Sequence, residues 1–149
     1  MNDNIFIEIR HILPEETYAA AELEKSSLLV PWSQSELTLF LKNEHAIYLG
    51  AFAGGLLVGI CGCYAGAGEC SITNIAVSES FRQKNIATRL LRTLLDEAKA
   101  RGCEKAFLEV ADGNMAAIKL YEKFGFKITG RRKGYYKNTD ALLMTLEEI

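Results

Sequence analysis

The chain has 149 residues, 49% hydrophobic and 24% charged, with a formal net charge of −2. That length can bury a real core in one domain, residues 1–149, and the composition excludes a disordered or collagen-like chain. The slight negative charge argues against nucleic-acid binding, and no apolar run reaches the roughly 20 residues of a membrane span.

The first residues, Met1-Asn2-Asp3-Asn4, are polar and acidic, unlike a secretory signal, so the chain is expected to be cytoplasmic. Ile5, Ile7 and Ile9 alternate with polar residues, the period of a half-buried strand. Pro14 in a first-turn position, with Glu15 and Glu16, opens a helix to about Lys25. Pro31-Trp32-Ser33 breaks the chain; Ser33 with Glu36 three residues on forms a capping box for a short helix to about Leu41. Ala46–Phe52 and Leu56–Tyr64 are strands joined by the hairpin signal Ala53-Gly54-Gly55, and Gly66-Ala67-Gly68 turns into a third, Cys70–Val77. Next, Ala87, Leu90, Leu91, Leu94, Leu95 and Ala98 make one helical apolar stripe, ended by Gly102. Lys105–Val110 is a strand carrying Glu109; Asn114 caps a helix to Phe124, with Ile118 and Tyr121 facing inward and Gly125 stopping it. Phe126–Tyr136 and Ala141–Leu146 are the last two strands, giving the order β-α-α-β-β-β-α-β-α-β-β, a mixed α/β layout around one sheet.

Cys61, Cys63, Cys70 and Cys103 lack a second Cys or His pair at zinc spacing, since the only histidines are His11 and His45. They read as buried, reduced thiols, and no metal is expected. The segment from Thr73 to Arg101 says more. A strand ending Asn74-Ile75-Ala76-Val77 meets a basic loop, Arg82-Gln83-Lys84-Asn85, which opens directly into a helix. The first N–H groups of a helix have no intrahelical partner and the dipole favours negative charge, so this is an anion site, suited to a diphosphate. The loop has no glycine; Asn85 stands where one is expected, and asparagine tolerates the left-handed region better than most residues. On loop chemistry alone, a solvated basic turn fits equally well.

Three segments together carry a resemblance: Asn74 to Val77; Arg82 to Ala87; and Leu108-Glu109-Val110 followed by Asn114 to Phe126. They resemble the GNAT family of acyl-CoA-dependent N-acetyltransferases, and the similarity spans nearly the whole chain. Arg82, Asn85 and Ala87 occupy the defined places of the family's Gln/Arg-x-x-Gly-x-Gly/Ala loop. Pro31-Trp32-Ser33, Arg131-Arg132 and Tyr135-Tyr136 resemble in particular the RimI-type ribosomal-protein alanine N-acetyltransferases.

The resemblance implies a mixed central sheet of six to seven strands flanked by about four helices. It implies acetyl-CoA as co-substrate, held by Ile75, Ala76 and Val77 along the pantetheine arm, by Gln83, Lys84, Asn85, Ile86, Ala87 and Thr88 at the diphosphate, and by Asn114. Pantetheine amides can pair with a strand backbone as an added strand does. Glu109 would be the general base and Tyr121 the general acid toward the departing thiolate. On the residues alone, a strand Glu facing solvent or an arginine, and a Tyr packed in a core, are the plainer readings. Trp32, Tyr135 and Tyr136, with Glu36 and Asp140, are candidates for the acceptor side. The implied acceptor is the arginine-rich N-terminus of a small-subunit ribosomal protein. Arg131-Arg132-Lys133 would repel it, so that run is expected on solvent or near CoA phosphate. A monomer or weak dimer is expected. A GNAT enzyme acting on a small amine or lysine, and a non-catalytic acyl-CoA-binding module, remain the alternatives.

Overall fold

The computed structural model describes residues 6–149, so the expectations for Met1 to Asn4 and for Ile5 lie outside the described residues. Seven strands form one sheet: β1 (Ile7–His11), β2 (Ala46–Ala53), β3 (Leu56–Gly66), β4 (Glu69–Val77), β5 (Lys105–Ala111), β6 (Lys127–Tyr136) and β7 (Thr139–Leu146), in the order β1-β2-β3-β4-β5-β7-β6. Every neighbouring pair is antiparallel except β4 and β5, which are parallel. Gly54 and Gly55, both at positive φ, make the β2–β3 turn, a conformation glycine adopts without strain.

Four α-helices connect and cover the strands: α1 (Thr17–Ser27), α2 (Gln34–Leu41), α3 (Ile86–Ala100) and α4 (Met115–Lys123). The segment at Pro14–Glu16 is a single 3-10 turn leading into α1 rather than the first α-turn. Ser33 caps α2 as expected, accepting from the Glu36 N–H at 3.2 Å, while Glu36 accepts from the Ser33 N–H at 3.0 Å. Among the described residues no helix is long and apolar enough to cross a membrane.

The sheet has a core on each face. On one, α3 and α4 pack against the strands through Leu90, Leu91, Leu94, Leu95, Ile118 and Tyr121. On the other, Ala20 and Leu23 of α1 and Leu37 and Phe40 of α2 meet Tyr48, Ile60 and Ala76. Ile86, not Ala87, heads the buried stripe of α3: it lies one turn before Leu90, and Ala87 is only half-buried. All four cysteines are free and buried. At about 25 cal/mol per Å2 of apolar surface, each large side chain on these faces contributes roughly 1.5–3 kcal/mol, so the two-sided core fixes the strand frame on which the site is built.

A candidate acyl-transfer site between parted strands

The parallel pair β4–β5 supplies the site by failing to stay paired. Ladder contacts join Glu69 to Lys105, Cys70 to Ala106 and Ser71 to Phe107, and then stop, although β4 runs on to Val77 and β5 to Ala111. Two strands that part inside a sheet leave backbone donors and acceptors facing a gap, where an extended ligand can pair with them. A bulge sharpens the divergence: β4 pairs Asn74 with Gly62 and Ile72 with Cys63, leaving Thr73 as the extra residue.

A cavity of about 700 Å3 occupies the gap. Ser71 to Ile75 line it on the β4 side and Phe107 to Ala111 on the β5 side. Of the residues singled out from the sequence, Ile75, Glu109, Asn114, Tyr121, Trp32, Tyr135 and Tyr136 all border it. Asn114 caps α4, accepting from the Ala117 N–H at 3.3 Å. Seven residues on, two helical turns, Tyr121 lies on the same side of α4, 4% exposed, its ring edge-on to Phe126 with centroids 5.8 Å apart. Burial pushes the Tyr121 phenol above its ordinary range, with Cys61 and Tyr136 adding to the effect, so it keeps its proton.

Glu109 projects from β5 with its side chain 30% exposed. Arg132 of β6 lies against it, Nε 3.2 Å from Oε2. Arg132 is exposed, as expected, but it also borders the cavity, where it was not expected. The order β5-β7-β6 puts Arg132 two strands from Glu109, and both border the cavity. The contact is an ion pair without an aligned donor: Oε2 is buried and accepts no hydrogen bond. Glu109 therefore has a charge partner and a lone pair to spare.

Arg131 does differ from its neighbour. It bridges Asp112 and Asp140 at 2.7 and 2.9 Å, clear of the cavity lining. Asp140 is also outside the cavity lining. It takes the Gly134 N–H at 2.8 Å and ties the β6–β7 hairpin, and these donors hold its carboxyl below the usual range. Glu36 is likewise spent on the α2 cap. Trp32 packs edge-on against Phe40 with centroids 4.9 Å apart, and Tyr135 and Tyr136 pack edge-on at 5.1 Å, so three aromatic rings border the mouth opposite α4.

The basic loop lies beyond the cavity lining. Val77 ends β4, a 3-10 turn at Glu79–Phe81 follows, and Asn85 enters α3 at φ 62°, ψ 19°, the left-handed conformation its glycine-like place demands. Gln83 also has a positive φ of 62°, which the sequence did not signal. Arg82 donates from Nε to the Val77 carbonyl at 3.1 Å, tying the loop back to the strand. At the start of α3 the first N–H groups, from Ile86, Ala87 and Thr88, have no intrahelical partner. Ile75 and Val77 pack toward α3 and Ala76 toward α1, so the strand's side chains hold the core while its edge faces the gap.

One site residue escaped the sequence reading. Glu24 of α1 is fully buried, and burial pushes its carboxyl upward against the hydrogen bonds it receives from Tyr48, Trp32 and Asn74. Its signal was present: Glu24 falls on the inward stripe of α1 with Ala20 and Leu23, where a charge is unexpected.

The sequence pattern of the Acetyltransferase (GNAT) family matches residues 13–126. The chain is 32% identical over 134 residues to the ribosomal protein bS18-alanine N-acetyltransferase of Escherichia coli K12, covering 86% of this chain and 88% of that protein. It is 36% identical over 137 residues to the N-alpha-acetyltransferase RimI of Mycobacterium tuberculosis, covering 85% and 82%. The crystal structure of the ribosomal-protein-S18-alanine N-acetyltransferase from Escherichia coli superposes with a TM-score of 0.89 at 27% identity, over 97% of this chain and 96% of that one. Ard1 from Thermoplasma volcanium, at 24% identity and a TM-score of 0.89, shares the fold. With the family pattern matched over residues 13–126 and relatives above 30% identity over most of its length, the chain belongs to the GNAT family of acetyltransferases.

Proposed function

We propose that this protein transfers the acetyl group of acetyl-CoA to the N-terminal α-amine of a protein, the alanine of ribosomal protein bS18. The observation that carries the reading is the shared cavity: a carboxylate with an unsatisfied oxygen, Glu109, and a protonated phenol, Tyr121, border one gap between parted strands. The relatives named for bS18-alanine acetylation supply the acceptor. A ribosomal acceptor implies work in the cytoplasm, by residues 1–149 acting as one domain.

In this reading the diphosphate lies on the Gln83–Thr88 loop and helix start, and the pantetheine arm pairs with the edge of Ile75, Ala76 and Val77, with Asn114 across the gap. The acceptor amine enters past Trp32, Tyr135 and Tyr136. The neutral α-amine attacks the thioester carbonyl, and Glu109 takes the proton its nitrogen sheds as the amide forms, directly or through one water. Backbone N–H groups of β4 stabilise the charge that develops on oxygen. The carbon–sulfur bond breaks, and Tyr121 protonates the leaving thiolate. Burial keeps the Tyr121 phenol protonated, so the proton is in place when the thiolate departs. An α-amine ionises near about 7.7–8.0 against about 10.4 for lysine, so a single carboxylate is base enough for an N-terminus.

The test is turnover of an alanine-starting peptide with acetyl-CoA, with Glu109→Gln and Tyr121→Phe beside the wild type. Each substitution is expected to lower kcat by about 10^2–10^4. Turnover of a polyamine but of no peptide would establish the small-molecule alternative, and acetyl-CoA binding without any turnover the non-catalytic one.

A further inference from the structure

The buried Glu24 sits in the middle of α1 with no exposed surface. A buried carboxylate is tolerated when donors surround it, and three do. The Trp32 N–H donates to Oε1 at 2.9 Å; the Tyr48 hydroxyl donates to Oε2 at 2.6 Å; the Asn74 side-chain amide donates to the same oxygen. Asn74 turns its NH2 toward Glu24 and its carbonyl toward the Thr73 hydroxyl. That carbonyl takes the Thr73 hydroxyl proton at 2.5 Å. A hydroxyl has one proton to give. With that proton committed, Thr73 keeps only lone pairs for other partners.

Thr73 is the bulge residue of β4, half-buried, and borders the same cavity as Glu109 and Tyr121. Room for the chain comes from Gly62 on β3. A Cβ there would lie 2.7 Å from both Asn74 Oδ1 and Tyr48 Cδ1, and 3.1 Å from Thr73 Oγ1.

We propose that the Thr73 hydroxyl accepts an N–H of the attacking amine, and that Glu24 is a positioning residue fixing the direction of that hydroxyl through Asn74. The inference rests on the acetyl-transfer reading above. The neutral attacking α-amine carries two N–H bonds, one of which gives its proton to Glu109 as the amide forms. Holding the other on Thr73 aims the nitrogen lone pair at the carbonyl. No bond forms or breaks at Thr73.

The experiment measures steady-state kinetics with an alanine-starting peptide under saturating acetyl-CoA, and with acetyl-CoA under saturating peptide. Thr73→Val removes the hydroxyl at nearly constant volume. It should lower kcat/KM for the peptide about three- to tenfold, the worth of one hydrogen bond, and leave KM for acetyl-CoA within about twofold. Thr73→Ser should restore the wild-type value. Glu24→Gln keeps one acceptor oxygen, which the Trp32 N–H holds, and puts an NH2 donor in the Oε2 place facing Asn74, so Asn74 flips and Thr73 turns its proton outward; the same peptide-specific loss is expected. The double variant should lose no more than the larger single loss, because both act through one contact. Thr73→Val at wild-type kcat/KM, or losses that multiply in the double variant, would overturn the proposal. A wild type that acetylates no α-amine would overturn the underlying acetyl-transfer reading, and this inference with it.

Discussion

Asn85→Gly tests the loop on which the CoA end of the site depends. Asn85 sits at φ 62°, ψ 19°, and its side chain makes no cap hydrogen bond to α3. Only its Cβ is then at stake. An ordinary L-residue in this conformation costs about 1–2 kcal/mol, and asparagine less. Opposing that relief, glycine loses more freedom on folding, about 0.4–1 kcal/mol. The two terms nearly cancel. At about 2–4 °C per kcal/mol for a chain of this size, the melting temperature should move by no more than roughly 2–4 °C. Asn85→Ala, which keeps a Cβ and has no special tolerance, should be the less stable of the two. Calorimetry with CoA should give the Asn85→Gly protein a Kd equal to or below the wild-type value, since the backbone donors of Ile86, Ala87 and Thr88 are untouched. A tenfold weaker Kd, about 1.4 kcal/mol, at unchanged melting temperature would refute the reasoning and give the asparagine side chain a contact of its own.

Leu94→Ala opens a cavity under α3, where the leucine is wholly buried, and should cost about 2–5 kcal/mol in urea denaturation. Arg132→Met should change stability by less than about 1 kcal/mol, since Arg132 is 56% exposed and its pairing with Glu109 is screened by solvent; the same titration measures it. Burial raises the phenols of Tyr48 and Tyr121 in the folded protein. Unfolded tyrosines release their protons near about pH 10 while these two hold theirs. Stability from this source is therefore complete below about pH 10 and is lost as pH rises beyond it, and denaturation at pH 9 and pH 11 should show the fall.

The local elements were legible because their signals are local. The α3 stripe, the Ser33 cap and the Gly54-Gly55 turn each read from a few adjacent residues. Asn85 could be matched to a left-handed conformation because it stands at the glycine place of the loop pattern that the chain resembles, and asparagine tolerates that region. The parting of β4 from β5 could not be read, because parallel pairing joins segments separated by a whole helix and nothing in either strand says where the ladder stops. For the same reason Arg132 was not expected at the cavity. Its approach to Glu109 depends on β7 lying between β5 and β6, and chain order hides that. Glu24 was missed for a different reason: a charged residue in a surface helix passes as solvated unless its phase on the buried stripe is checked. The chemistry followed the same division. Glu109, Asn114 and Tyr121 were singled out through the resemblance to the GNAT family, since residue type alone favoured a solvent-facing Glu and a core Tyr, whereas the Glu24–Asn74–Thr73 chain exists only once α1 is laid across the sheet.

The most direct measurement is mass spectrometry of an alanine-starting bS18 peptide after incubation with the protein and acetyl-CoA, alongside a thiol assay for released CoA. The account predicts one acetyl group on the α-nitrogen of alanine, one CoA released for each, and loss of both with Glu109→Gln. An acetyl group on a lysine side chain alone, or transfer that Glu109→Gln leaves intact, would contradict it.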